Sequence, residues 1–234
     1  MTRQIVQVTA QTLADLPLPC AACAFWELGP ANGFVADDAS DALQAKRAWV
    51  SSTTSGWGPC GLLAYLDEEP VGYLLYAPPA YVPRAAAFPT APVASDAVLL
   101  MTLRVVERHR GGGIGRVLVQ TMAKDLVKRG VRAIEAYGGV GQEGCIVAAS
   151  YLESVGFVTV REHARNPRLR LDLRTSLSWR EDVEGAWERL VGVVRPFPAG
   201  AARGGRSTTV SPTRSVTSDA VPIRPQGPVT GWTR

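Results

Sequence analysis

The chain carries three consecutive glycines between an apolar run and a helix-forming stretch. The glycine-rich segment consists of Arg110, Gly111, Gly112, Gly113, Ile114 and Gly115. Glycines let a backbone turn sharply and approach a ligand closely, because no Cβ stands in the way. Backbone N–H groups in such a turn, together with the N-terminus of a following helix, attract an anion. The segment therefore predicts a site for a phosphate-containing ligand; a tight turn without a ligand is the alternative.

The residues after this segment exclude two common nucleotide-binding patterns. A P-loop requires Gly-Lys-Ser/Thr, whereas Gly115 is followed by Arg116 and Val117. The dinucleotide fingerprint requires a third glycine or alanine, and Arg116 or Leu118 occupies that position, depending on which glycine pair is counted. The pattern that fits is Arg-x-x-Gly-x-Gly, beginning at Arg110.

Together with Leu103-x-Val105 upstream, the pattern Arg-x-x-Gly-x-Gly resembles the pyrophosphate-binding motif of the GNAT acetyltransferases. Many members of that family continue with asparagine, alanine three residues later, an aromatic pair and Gly-Phe. The corresponding residues here are Cys145, Ala148, Tyr151, Leu152, Gly156 and Phe157. The resemblance spans roughly residues 60–173. It departs from the family at Glu107, where proline is frequent, and at Cys145.

The resemblance implies that acetyl-CoA is the acyl donor and that an amine attacks its thioester directly. Leu103, Arg104 and Val105 would align the acetyl and pantetheine groups, and a backbone N–H near Val105 would polarise the carbonyl. The segment Arg110 to Arg116 would hold the pyrophosphate. Cys145 occupies the position of the asparagine that contacts the coenzyme in relatives. The resemblance implies no metal.

Two further groups would serve the chemistry. A carboxylate often takes the proton of the attacking amine, and Glu135, on a predicted strand, is the candidate base; a solvated or paired carboxylate is the alternative. The family tyrosine that protonates the leaving thiolate would fall at Leu152. Tyr151, one residue or about 100° of helix rotation away, is therefore the candidate acid. A core aromatic at Tyr151, and catalysis without a dedicated acid or base, are the alternatives.

The sequence says little about the acceptor amine, which is a small molecule or a protein. In relatives its pocket is formed partly by the first two helices and their connection. This predicts a wall that includes Trp26, Glu27, Asp37 and Asp38. Acidic groups beside an aromatic ring would suit a cationic amine, and solvated loop acids are the alternative. A homodimer is left open.

The cysteines do not form a metal-binding pattern. Cys20 and Cys23 make one C-x-x-C, but a second close pair is missing, and His109 and His163 lie far apart in the sequence. A redox dithiol is an alternative, although this C-x-x-C lacks the strand-to-helix setting of thioredoxin-like sites. Buried apolar thiols are favoured, also for Cys145 over a nucleophilic role, because unpaired cysteine is often buried.

Hydrophobic periodicity predicts alternating strands and helices. Predicted strands cover residues 5–8, 61–66, 71–76, 97–106, 131–137, 157–163 and 169–173. Predicted helices cover residues 16–27, 41–52, 114–128, 145–155 and 179–191. Five prolines between residues 77 and 95 predict a long surface connection. By the resemblance, we expect a single α/β domain of mixed α+β type, with a central, mostly antiparallel twisted sheet flanked by helices.

Charge divides the 234 residues into two regions. From residue 199 onward there are five arginines and one acid, whereas residues 1–198 contain 20 basic and 20 acidic residues. This predicts a domain over residues 1–196 and a disordered basic tail over residues 197–234, and it argues against a nucleic-acid-binding surface on the domain. We expect a cytoplasmic protein without membrane contact, since neither a spanning apolar run nor a signal sequence is evident.

Three functions are compatible with these observations. The first is an N-acetyltransferase, as the resemblance implies. The second is a coenzyme-A-binding module whose chemistry has lapsed, because Cys145 and Leu152 replace a frequent asparagine and tyrosine. The third is a nucleic-acid-binding protein, which rests on the arginines of the tail alone and predicts binding that weakens with salt.

Overall fold

The computed structural model describes residues 2–16, 20–29, 39–141 and 144–173. The predictions for Asp37 and Asp38, for a helix over residues 179–191 and for a tail from residue 197 lie outside this part of the chain. Within it, the regular elements are β1 (Arg3–Gln7), α1 (Ala39–Gly56), β2 (Gly61–Leu66), β3 (Glu69–Ala77), β4 (Ala97–Val105), α2 (Ile114–Lys128), β5 (Ala133–Gly139), β6 (Val147–Ala148), α3 (Ala149–Ser154), β7 (Val158–Arg161) and β8 (Arg168–Asp172).

The strands form one sheet in the order β1-β2-β3-β4-β5-β8-β7, and the short β6 pairs with β5. Neighbouring strands are antiparallel except at two places, where β5 runs parallel to β4 and to β6. The sheet has helices α2 and α3 on one face. The expectation of a mixed α/β fold with a central, mostly antiparallel sheet is confirmed.

Each face of the sheet has its own hydrophobic core. On one face, α2 buries Leu118, Met122 and Leu126, which recur every fourth residue and therefore form a single stripe. On the other face, the N-terminal segment 20–29 and the connection between β3 and β4 pack against the sheet. That connection is not confined to the surface as expected, because it buries Val82, Phe88 and Val93.

Two irregularities in β4 shape the centre of the sheet. The pairing of β3 with β4 shifts register between Leu75 and Tyr76, which leaves Met101 as an extra residue in β4. Such a bulge bends a strand and reverses the side-chain alternation after it; accordingly, Met101 and Leu103 belong to the cores on opposite faces. Moreover, β4 pairs with β5 through three residue pairs at its start. The rest of β4 is therefore separated from β5, and a gap opens between them.

The predicted helix over residues 16–27 is wrong in the residues described. Leu16 has an extended ψ of 135°, as expected for a residue before a proline, and a single short 3-10 turn follows at Cys20–Ala22. The segment then runs irregularly into the core, where Trp26 is 2% exposed. The predicted helix over residues 145–155 is shorter than expected, because residues 147–148 pair with β5 before α3 begins.

Candidate functional site

A cavity of about 1030 Å³ lies at the gap in the sheet. Its walls are the end of β4, the glycine-rich turn, the first residues of α2 and the segment from Gly144 to Val155. From the predicted coenzyme-binding set, the cavity is lined by Leu103, Arg104, Val105, Arg110, Gly111, Gly113, Ile114, Gly115 and Arg116. The structure thus brings together most of the residues that the sequence pattern had linked to one ligand, but the predicted Gly112 is not among those that line the cavity.

The glycine-rich turn presents an anion-binding geometry. Gly111 and Gly113 have φ of 78° and 81°, a conformation that side chains rarely adopt, and a Cβ at either residue would point into open space. Gly113 is the N-cap of α2, and no side chain caps the helix. Because the first N–H groups of a helix have no intrahelical acceptor, those of α2 are available to a ligand at this end of the cavity.

Two arginines surround the turn. Arg110 donates from Nε to the carbonyl oxygen of Val105 at 3.3 Å, and Arg116 donates to the carbonyl oxygen of Ser154 at 3.0 Å. Both side chains are otherwise exposed to solvent. Their guanidinium groups add positive charge to the helix N-terminus, so this end of the cavity favours a polyanion such as a pyrophosphate.

The end of β4 offers a second kind of contact. On one side, residues Leu103 to Val105 pair with β3. On the other side, the pairing with β5 stops at Leu99, and within the described residues no strand pairs with this edge of residues 103–105. An extended ligand with amide groups can hydrogen-bond to such an edge as an added strand would.

Tyr151 lies in the wall of the cavity. The hydroxyl is buried and has no hydrogen-bond partner in the described residues. It lies beside the first turn of α2, where a Cβ on Gly115 would collide with it. Burial raises the pKa of Tyr151 to about 12, with Arg116 acting in the opposite direction, so the phenol keeps its proton at neutral pH. Leu152, at the family tyrosine position, is instead fully buried in the core.

Cys145, predicted to bind the coenzyme, does not line the cavity. Gly144 and Ile146 on either side of it do. The Cys145 sulfur lies 3.0 Å from the sulfur of Cys23, and its carbonyl oxygen accepts a hydrogen bond from Trp26 Nε1 at 3.1 Å. The side chain therefore points to the N-terminal segment. The physical reason is that residues 144–146 precede β6 in an irregular conformation instead of starting a helix.

Glu135, the candidate base, lies outside the cavity-lining set and is 2% exposed. One carboxylate oxygen accepts from Arg170 at 3.2 Å. The other accepts from the backbone N–H of Ala94 at 3.2 Å and faces Arg168 Nε at 3.4 Å. Both oxygens are thus engaged with cationic or N–H donors. These contacts favour the alternative reading of Glu135 as a paired, structural carboxylate.

We expect Glu135→Gln to lower the free energy of unfolding by about 2–4 kcal/mol, because, among the described residues, Arg168 loses its charged partner and Arg170 keeps only Asp96. If the folded variant catalyses the acetyl transfer that the sequence resemblance implies, we expect its rate to change little. A general base contributes roughly 10²–10⁴-fold, so a loss of that size would contradict this interpretation. Urea unfolding and initial rates measure the two effects, and Glu153→Gln, at an exposed residue of α3, is the control.

The predicted acceptor wall is not formed as expected. Glu27 is buried and forms an ion pair with Lys46, whose side chain is 4% exposed. Trp26 stacks on Phe88 with ring centroids 5.1 Å apart and an interplanar angle of 9°, and Phe88 stacks in turn on Tyr137. The Glu27 carboxylate and the Trp26 ring therefore make contacts within the core and do not face an acceptor amine. Asp37 and Asp38 lie outside the described residues.

Several cavity residues were not anticipated from the sequence. They are Glu107, His109, Gly144, Ile146, Val147, Ala148, Ser154 and Val155. Most belong to the segment that was predicted to be helix from residue 145. The signal available in the sequence was the glycine at position 144, because a glycine before a predicted helix can adopt an irregular backbone conformation. In the structure Gly144 has φ of 120°.

Comparisons with known proteins bear on this site. The sequence model of the acetyltransferase (GNAT) family matches residues 24–165. No protein in the curated set matches the chain significantly. Among solved structures, the fold is similar to PaiA N-acetyltransferase from Thermoplasma acidophilum in complex with coenzyme A, with 14% identity over 74% of this chain and 99% of that one and a TM-score of 0.50. An N-acetyltransferase from Staphylococcus aureus Mu50 is similar at the same identity, coverage and TM-score.

One further finding concerns membranes. None of the helices in the described part of the chain combines the length and apolar character needed to cross a bilayer.

Proposed function

Because this chain belongs to the acetyltransferase (GNAT) family, we propose that it transfers an acetyl group from acetyl-CoA to a primary amine. The observation that carries the proposal is the glycine-rich turn at the N-terminus of α2, at one end of a cavity whose other wall is the unpaired edge of β4. The coenzyme A in the structure of the Thermoplasma acidophilum relative supports the choice of ligand. The acceptor is a small molecule or a protein.

Each part of the cavity has a role in this proposal. The N–H groups that begin α2, with Arg110 and Arg116, hold the pyrophosphate. The edge of β4 at residues 103–105 holds the pantetheine amides, and an N–H near Val105 stabilises negative charge on the thioester oxygen. The amine nitrogen bonds to the acetyl carbon, the carbon–sulfur bond breaks, and the coenzyme leaves as a thiolate. The amine proton passes to water.

No dedicated general base is required in this scheme. Glu135 is paired with arginines, and the one carboxylate among the described cavity residues, Glu107, is exposed beside the glycine-rich turn. A thiol with a pKa near ~8.5 is a good leaving group. An amine that is neutral in solution can therefore attack without protein-assisted deprotonation, and we expect the rate to rise with pH as the acceptor amine loses its proton.

We propose that Tyr151 binds the coenzyme through its hydroxyl group. The group keeps its proton and has no hydrogen-bond partner among the described residues, and its place beside Gly115 is near the end of the cavity proposed for the pyrophosphate. Tyr151→Phe should weaken coenzyme A binding by about 10–100-fold, the value of one hydrogen bond to a charged group, with kcat little changed. Calorimetric titration and steady-state kinetics separate the two quantities. If kcat falls and affinity is unchanged, Tyr151 is the general acid instead.

The function is tested by the release of free thiol from acetyl-CoA in the presence of a panel of small and peptide amines. Amine-dependent release, with a matching acetylated product by mass spectrometry, supports the transferase. The competing proposal is a coenzyme-binding module without activity, favoured by Leu152 in the core and Cys145 outside the cavity. It predicts tight binding of coenzyme A and no thiol release with any amine.

A further inference from the structure

Two cysteines far apart in the sequence meet beside the coenzyme cavity. The sulfurs of Cys23 and Cys145 are 3.0 Å apart although the residues are separated by 122 positions, and both thiols are reduced and partly exposed. In the sequence, Cys23 forms a C-x-x-C with Cys20. In the structure, however, the Cys23 sulfur is hydrogen-bonded to the sulfur of Cys145. We infer that Cys23 and Cys145 form an oxidisable dithiol, a modification site that reacts with low-molecular-weight disulfides to give an internal disulfide.

The chemistry requires little movement. A disulfide has a sulfur–sulfur bond of about 2.05 Å, so the two sulfurs need to approach by roughly 1 Å. The Cys23 thiolate attacks a small disulfide and displaces one thiolate, which leaves a mixed disulfide. Cys145 then loses its proton, attacks the Cys23 sulfur and displaces the second thiolate. Two protein thiols are oxidised, and one small disulfide is reduced to two thiols.

The surroundings distinguish Cys23 as the attacking sulfur. The hydrogen bond from Cys145 lowers the pKa of Cys23 to about 6, with burial acting against it. The same hydrogen bond, followed by burial, raises the pKa of Cys145, so Cys23 is the sulfur that ionises more readily. In contrast, burial raises the pKa of Cys60 to about 11, and Cys20 is 4% exposed. A thiolate within reach of solvent is the form that exchanges with disulfides.

The cross-link would fasten two parts of the fold. Cys23 belongs to the N-terminal segment 20–29, and Cys145 lies between Gly144 and Ile146, which line the cavity. Trp26 Nε1 already donates to the Cys145 carbonyl from that segment, so the disulfide would lock an existing contact. A cross-link between distant positions restricts the unfolded chain strongly. Oxidation should therefore act as a reversible latch that stabilises the domain.

The test is to incubate the full chain with glutathione disulfide and to count thiols and map peptides. We expect titratable thiols to fall from the four in the sequence to two, with Cys23 linked to Cys145. We also expect the Tm to rise by several degrees and to return on reduction. Cys20→Ala and Cys60→Ala should form the same disulfide, with titratable thiols falling from three to one. Linkage of Cys20 to Cys23, or four thiols remaining in the folded protein, would overturn the inference.

A second variant separates the attacking sulfur from the resolving one. Cys145→Ser should stop at a mixed disulfide between Cys23 and glutathione, because the serine hydroxyl can still donate a hydrogen bond to the Cys23 sulfur but cannot displace glutathione. Its absence, or glutathione on Cys20 instead, would contradict the assignment of Cys23. None of these readouts needs acetyl transfer, so the inference stands or fails independently of the proposed function.

Discussion

Gly113→Val is expected to weaken coenzyme A binding by at least about 100-fold, equivalent to one or two lost hydrogen bonds to a charged phosphate. Gly113 has φ of 81°, where an L side chain costs roughly 1–2 kcal/mol. The turn would relax, and the N–H groups at the start of α2 would no longer converge. The valine side chain would also occupy the open space that a phosphate needs.

The chain offers a matched control for this variant. Gly130 lies just beyond the other end of α2 with φ of 77°, and a Cβ there also meets open space. Gly130→Val therefore imposes a similar backbone strain away from the cavity. In thermal unfolding, coenzyme A at a hundred times its Kd should stabilise the native chain and Gly130→Val by about 2.7 kcal/mol, but not Gly113→Val. A full shift in folded Gly113→Val would show that the coenzyme binds elsewhere.

Lys46→Met is expected to lower the free energy of unfolding by about 3–5 kcal/mol, because it leaves the buried carboxylate of Glu27 without its cation. The Glu27 side chain is 1% exposed, and its second carboxylate oxygen has no hydrogen-bond partner in the part of the chain that the structure describes. An unpaired charge at this depth is costly to keep ionised. A loss of this size is a large fraction of the stability of an ordinary domain, and urea unfolding measures it directly.

The double variant Glu27→Leu with Lys46→Met distinguishes charge from packing. Replacing both partners of a buried ion pair by apolar residues of similar volume is often neutral or stabilising. We therefore expect the double variant to recover most of the lost stability. If it is as unstable as Lys46→Met alone, the pair contributes through shape, and the electrostatic explanation is wrong.

The sequence predicted those parts of the site whose geometry is local. Helix α2 has the predicted bounds, because its apolar residues recur every fourth position and Gly113 and Gly130 mark its two ends. The strands predicted over residues 61–66 and 71–76 correspond to β2 and β3, because both are short apolar runs. The conformation of the glycine-rich turn depends on its own glycines and on the helix that follows. Its sequence pattern was therefore enough to predict a ligand-binding turn, and the structure has this turn in the wall of the cavity.

The rest depends on contacts between residues distant in the sequence. The contacts that favour a structural Glu135 form because β8 brings Arg168 and Arg170 beside it, and no local sequence pattern indicates that pairing. Cys145 turns away from the cavity because the N-terminal segment meets it. The helix predicted over residues 16–27 is wrong for a similar reason. An irregular segment that is buried on several sides has as many apolar residues as a helix, so its composition does not distinguish the two.

The gap between β4 and β5 has a consequence for how the domain holds together. Three residue pairs between β4 and β5 join the four strands from β1 to β4 to the other half of the sheet, which consists of β5, β6, β7 and β8, so the sheet has a seam at its centre. On the proposed function, the coenzyme fills the open part of this seam, contacts both halves of the sheet and stabilises their association. Amide hydrogens of residues 97–99 and 133–135 should then exchange more slowly when coenzyme A is bound, although they do not touch it.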